Sequence, residues 1–277
     1  MYYRRPAPII RWIFALILLA GLCALTYCIL TGQYIQTYDN QFMKVMLEIR
    51  DPALTTFFKA VTHLGDVWVI LGLCILIIIL PNRLSIGVPV AIGTAIAAAI
   101  HTGLKLWIAR PRPDAEYMLA NVNDFSFPSG HSNIAIVFYL FLMILLRRLF
   151  KERDQGLSAG LVTVIFPLIF ILVVFSRLYL GVHYLSDVAA GLCLGAFLLI
   201  IFLTIYDYLY PQNYRLGYET PDWNPIPRGR KANHKWRKPD PAKLRSQHVD
   251  VSKHRPWRRP SEHNPYVSGQ TKDDTDK

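Results

Sequence analysis

The chain has 277 residues, 53% of them hydrophobic and 18% charged, with a formal net charge of +11. Its apolar residues fall in blocks longer than a soluble core helix needs, which excludes an ordinary soluble globular domain and points to a membrane protein. Cys23, Cys28, Cys74 and Cys193 all lie inside those blocks at no metal-ligand spacing, so they read as small buried hydrophobes and argue against a disulfide framework.

The first block, about 12–30, follows Arg4, Arg5 and Arg11. No small-x-small cleavage site comes after it, so it is expected to be a retained span and not a secretory signal. Next, QFMKVMLEIRDP places Phe42, Val45, Met46 and Ile49 at helical spacing, with Pro52 stopping the helix. Either an interfacial helix on the outer leaflet or a short helix packed on the bundle fits that pattern. Further blocks run over 67–80, which is short and needs flanking residues to span, then 85–108, 132–149, 158–178 and 184–209. None shows the two-residue alternation of a barrel strand, so all are expected to be helices. The predicted fold is all-α: a six-transmembrane-helix bundle over residues 1–209.

From Pro211 the composition turns to Pro, Arg, Lys, Asn and His, which predicts a disordered tail over 210–277. That tail holds 15 basic and 8 acidic side chains and would be drawn to anionic lipid head groups. Trp223, Trp236 and Trp257 are interleaved with its cations. It has no stacking platform or folded scaffold, which argues against a nucleic-acid partner.

Six spans put both termini on one side of the membrane. That side carries Arg4, Arg5, Arg11, Arg83, Arg147, Arg148, Lys151, Arg153 and the tail; the other carries Lys44, Arg50, Lys59, Lys105, Arg110, Arg112 and Arg177. The positive-inside rule makes the termini cytoplasmic. Four of the outer cations, Lys105, Arg110, Arg112 and Arg177, gather at the ends of the third and fifth spans, which suggests an anion site on the outer face.

Three clusters of polar residues interrupt the apolar pattern. In KLWIARPRP, Lys105 and Arg112 are seven residues apart and prolines end the helix; in FPSGHS, a turn at Pro128, Ser129 and Gly130 leads to His131; in SRLYLGVHYLSD, Arg177 precedes His183 and Asp187. Singly, each has a plainer explanation: cations that snorkel to head groups, a routine turn, an i, i+4 pair. Together they fall on one face with complementary chemistry. Lys105, Arg112 and Arg177 can bind phosphate oxygens, and backbone N–H groups at Ser129 and Gly130 can add anion donors at a helix N-terminus. Asp187 can hold one nitrogen of His183 and leave the other to attack phosphorus, while His131 can protonate a leaving oxygen.

The motifs K-x6-RP (Lys105 to Pro113), PSGH (Pro128 to His131) and SR-x5-H-x3-D (Ser176 to Asp187) resemble the three signature motifs of the type 2 phosphatidic acid phosphatase superfamily of membrane lipid phosphatases. The resemblance implies a phosphohistidine mechanism. His183 would be the nucleophile, Asp187 its orienting partner, and His131 the acid for the leaving group and then the base for water. Lys105, Arg112, Arg177, Ser129 and Gly130 would hold the phosphoryl oxygens, with no metal and no cofactor. The expected activity is hydrolysis of a lipid phosphate or pyrophosphate, such as undecaprenyl pyrophosphate, phosphatidylglycerol phosphate or phosphatidic acid. It would take place on the extracytoplasmic face of a plasma membrane. Two alternatives stay open: a lipid phosphotransferase using the same histidine, and a non-catalytic lipid-phosphate-binding or transport protein.

Overall fold

A computed structural model of the protein describes residues 9–32 and 35–210, and every regular element within them is helical. That is the arrangement in which backbone groups satisfy one another without water. The helices are α1 (Ile9–Thr31), α2 (Ile35–Glu48), α3 (Pro52–Thr62), α4 (Val67–Ile79), α5 (Val88–Ile108), α6 (Gly130–Ala135), α7 (Phe141–Glu152), α8 (Gly156–Tyr179) and α9 (Leu185–Leu209). Wider π turns over Ile136–Leu140 join α6 to α7, so that Gly130–Glu152 acts as one span.

Five spans follow the predicted blocks closely, and the second takes another form. Its 13 residues in α4 give about 20 Å at 1.5 Å per residue, short of the roughly 30 Å hydrocarbon layer. Helix α3 precedes α4 at a bend of 51°, and the two together are long and apolar enough to cross, which gives five spans, or six when this bent pair is counted as one. Pro52 does not terminate the preceding helix as expected, since α2 ends at Glu48. Instead it is the first residue of α3, where its missing N–H costs nothing, and Asp51 caps that helix by accepting from the N–H groups of Ala53 and Leu54 at 2.8 and 3.2 Å.

Of the two readings of the 42–49 segment, the structure shows the packed one. Asp39, Met43 and Met46 form the buried stripe of α2, and Met46 joins Leu178 and Val188 from α8 and α9, while Val45 and Ile49 face outward. The main core lies between α5, α6, α7 and α9, around Val90, Phe138, Phe141, Leu198 and Phe202. The rings of Phe141 and Phe202 stack there at 6.4 Å. Gly195 lets α9 approach the α6 segment closely, because a Cβ there would lie 1.9 Å from the Ile136 side chain and 2.9 Å from the carbonyl of Asn133.

Large apolar side chains such as Leu16, Ile17, Trp68, Trp107 and Val164 are exposed around the bundle, as suits contact with lipid chains. At the end away from the polar motifs, Asp207 of α9 accepts from Arg11 of α1 at 2.8 Å and Arg148 of α7 at 2.7 Å. The basic tail expected beyond residue 210 lies outside the described residues.

Candidate active site

Each polar motif sits where a span ends on the same side of the bundle. Helix α5 stops because Ala109 takes a left-handed conformation, φ 49°, and Pro111 and Pro113 cannot continue it. The returning chain enters α6 at Gly130. A side chain there would meet His101, since a Cβ would lie 2.8 Å from its ring. Between α8 and α9 the chain turns at Gly181, whose φ of 68° and distance of 2.2 Å from a would-be Cβ to the Tyr117 carbonyl leave room for glycine alone. Helix α9 then begins with Asp187 in its first turn, and the Tyr184 N–H donates to that carboxylate at 2.9 Å. One residue thus caps the helix and stands behind His183.

These ends enclose a cavity of about 750 Å³ lined by Lys105, Arg112, Gly130, His131, Arg177 and His183. Ser129 and Asp187, both fully buried, sit directly behind its wall. All eight predicted residues are therefore brought together, although up to 82 positions separate Lys105 from Asp187 in the chain.

His183 is 1% exposed, and burial pushes its imidazole well below the usual range, aided by the positive charges of Arg112, Arg177 and Lys105. The ring is held neutral, with a free electron pair. Its Nε2 lies 3.4 Å from an Arg112 nitrogen, on the cation side. Its Nδ1 lies 3.7 Å from Asp187 Oδ2, beyond hydrogen-bond range, and has no other partner. The carboxylate is otherwise engaged: Arg110 donates to Oδ1 at 2.6 Å, and the Ser126 hydroxyl and Tyr184 N–H donate to Oδ2. Of the three cations, Arg177 is the least committed, with one donated bond to Thr62 at 2.6 Å and a buried Nε without a partner.

Several placements differ from expectation. The Ser129 N–H, expected as an anion donor, is already given to the Asp187 carbonyl at 2.9 Å, and the Ser129 hydroxyl accepts from Ser132 at 3.0 Å. Arg110, grouped by sequence with the outer cations, is 6% exposed and lies behind Asp187. It donates to Asp187, Ser186, Asp39 and Gln36 and packs on the Tyr184 ring. Lys105 and Arg112 are both occupied by Asp124, which accepts from Lys105 Nζ and from two guanidinium nitrogens of Arg112. Burial alone would raise the Asp124 carboxyl, but those two cations win and bring it down to about 2. Asp39, Asp66, Asp124 and Ser126 were not legible as site residues, because a single carboxylate or hydroxyl in a polar segment has no spacing signature.

The PAP2 superfamily matches residues 86–211 of this chain. Phosphatidylglycerophosphatase B of Bacillus subtilis is 34% identical over an alignment of 174 residues that covers 61% of this chain and 82% of that protein. Decaprenylphosphoryl-5-phosphoribose phosphatase of Mycobacterium tuberculosis is 32% identical over 154 residues, 52% of this chain and 76% of that protein. The crystal structure of a transmembrane PAP2-type phosphatidylglycerolphosphate phosphatase from Bacillus subtilis is similar with a TM-score of 0.63 at 29% identity, covering 71% of this chain and 98% of that one. With the three motifs converging on one cavity at the ends of membrane spans, the chain belongs to the PAP2 superfamily as a multi-pass membrane phosphatase.

Proposed function

We propose that the protein hydrolyses the terminal phosphate of a membrane lipid through a phosphohistidine on His183. The observation that carries this reading is the buried His183 ring, with the Asp187 carboxylate 3.7 Å from Nδ1, Arg112 3.4 Å from Nε2, and Lys105 and Arg177 lining the same cavity. Nε2 attacks phosphorus, the bond from phosphorus to the lipid oxygen breaks, and His131 gives that oxygen its proton. Water, deprotonated by His131, then attacks the phosphohistidine and releases inorganic phosphate. Arg177, Arg112 and Lys105 offset the charge on the phosphoryl oxygens in both steps. Gly130 and the N-terminus of its helix add backbone donors, and Asp187 stabilises the charged His183 ring as the bond to phosphorus forms.

The relatives' names favour lipid phosphate monoesters, with phosphatidylglycerol phosphate or a polyprenyl-linked phosphate ahead of phosphatidic acid and undecaprenyl pyrophosphate. The distribution of Lys and Arg supports cytoplasmic termini and a site on the opposite, extracytoplasmic face. Phosphate release from these four substrates in detergent, with EDTA present, tests the reading; turnover of at least one lipid is expected, and silence on all of them would count against it.

Because catalysis needs neutral His183, the acid limb of kcat/KM should lie well below pH 6.5, the ordinary imidazole value. A limb at or above that value would contradict the buried neutral ring. Unfolding exposes the ring, so below pH 6.5 the unfolded chain takes up a proton that the folded one refuses, and stability should fall as the pH drops through that window.

Asp124, ionised down to about pH 2, holds two of the three cations assigned to the phosphoryl group, so an anionic substrate has to displace it. Asp124→Asn should therefore bind orthovanadate about tenfold more tightly, a change of about 1.4 kcal/mol. Equal or weaker inhibition would show that Asp124 helps to build the anion site.

A further inference from the structure

The bend between α3 and α4 carries no recognised motif, yet three contacts fasten it to the helices that build the site. Arg177 donates to Thr62 at 2.6 Å, Tyr139 donates its hydroxyl to the Leu64 carbonyl at 2.7 Å, and His131 Nε2 lies 3.1 Å from Asp66 Oδ1. Gly65 lets the His131 ring come this close, since a Cβ there would lie 2.6 Å from its Cδ2. Asp66 occupies the N-cap position of α4, where an aspartate ordinarily accepts from the first-turn N–H groups, a contact worth about 1 kcal/mol. Here it caps nothing: its side chain turns away from α4, with Oδ1 on His131 and Oδ2 on His63 Nδ1 at 2.6 Å.

We infer that Asp66 is a positioning residue for His131, holding the ring through Nε2 and so leaving Nδ1 as the nitrogen that serves the leaving oxygen. The inference rests on the proposed role of His131 as the acid for the leaving group. A carboxylate at 3.1 Å favours a proton on that ring. The same contact fixes the plane of the ring. The bend in the second span thus serves the chemistry, because a straight helix would carry Asp66 onward as an ordinary helical residue and not as a free terminal carboxylate.

The test compares two substrates of equal chain length, a long-chain alkyl phosphate and a nitrophenyl phosphate bearing a similar alkyl chain. The alkoxide is a poor leaving group and needs a proton; the nitrophenolate leaves without one. His131→Ala should lower kcat/KM, which covers only the steps up to release of the leaving group, by about 100-fold or more for the alkyl ester and spare it for the aryl ester. Asp66→Asn, which keeps the shape and loses the charge, should show the same selectivity at about 10-fold or more. Gly65→Ala, which displaces the ring, should reproduce it. If His131→Ala is selective while Asp66→Asn and Gly65→Ala slow both esters equally or neither, Asp66 is only structural and the role of His131 stands. A non-selective His131→Ala would overturn both.

Discussion

Replacing His183 with alanine is expected to lower kcat/KM for a lipid phosphate by at least about 10⁴-fold while leaving the protein folded. The size of the effect follows from the site. His131 and the three cations would remain, but the other imidazole and the carboxylate lining the cavity are committed elsewhere: His101 Nε2 lies 3.1 Å from the Pro128 carbonyl, and Asp124 is paired with Lys105 and Arg112. Water attacking the lipid phosphate directly would keep the charge stabilisation and lose the divided reaction path. Alanine should also ease the cost of holding an imidazole whose Nδ1 is buried without a hydrogen bond, so thermal stability in detergent should be equal or higher. Loss of activity together with loss of fold would point to a structural histidine.

The second large effect belongs to Arg110. Its guanidinium bridges Asp187 on α9, at 2.6 Å, and Asp39 on α2, at 2.8 Å, with all three side chains nearly inaccessible to water. Deleting the cation leaves two carboxylates buried without compensation, and breaking such a network costs about 3–5 kcal/mol. Arg110→Ala should lower the unfolding temperature markedly, and what folds should be impaired in activity, because Asp187 would lose its anchor. Arg110→Lys keeps the charge but cannot fork between two carboxylates, so it should recover only part of the loss. Wild-type stability in Arg110→Ala, measured by thermal unfolding in detergent, would contradict the brace.

Much of this architecture could be read from the chain because lipid imposes a simple rule. A run of about 20 apolar residues must become a helix, and α1, α8 and α9 follow their predicted blocks within a few residues. The ends of helices crossing one slab fall on two planes, so Lys105, His131, Arg177 and His183 could be assigned to one face before any contact was known. The second span resisted this logic. Its first half, PALTTFFKAVTH, carries Lys59 and His63 and is too mixed to register as membrane-crossing, so only α4 stood out.

The carboxylates were illegible for a related reason. Asp39 meets its partners across 71 and 147 positions, and Asp66 meets His131 across 65, distances over which residue spacing holds no information. Arg110 and Arg112 are adjacent members of one motif, yet one faces a buried network and the other the cavity. The turn that parts them, set by Ala109 and Pro111, emerges only in three dimensions.

The most direct test of the phosphohistidine is to trap it. The enzyme would be mixed for milliseconds with its lipid substrate labelled at the terminal phosphate, quenched in alkali or in acid, and counted for protein-bound label. A phosphorus–nitrogen bond survives alkali and breaks in acid, so wild-type protein should carry alkali-stable, acid-labile label on the peptide containing His183, and His183→Ala should carry none. Label that withstands acid, or label that persists in His183→Ala, would show that another residue takes the phosphoryl group.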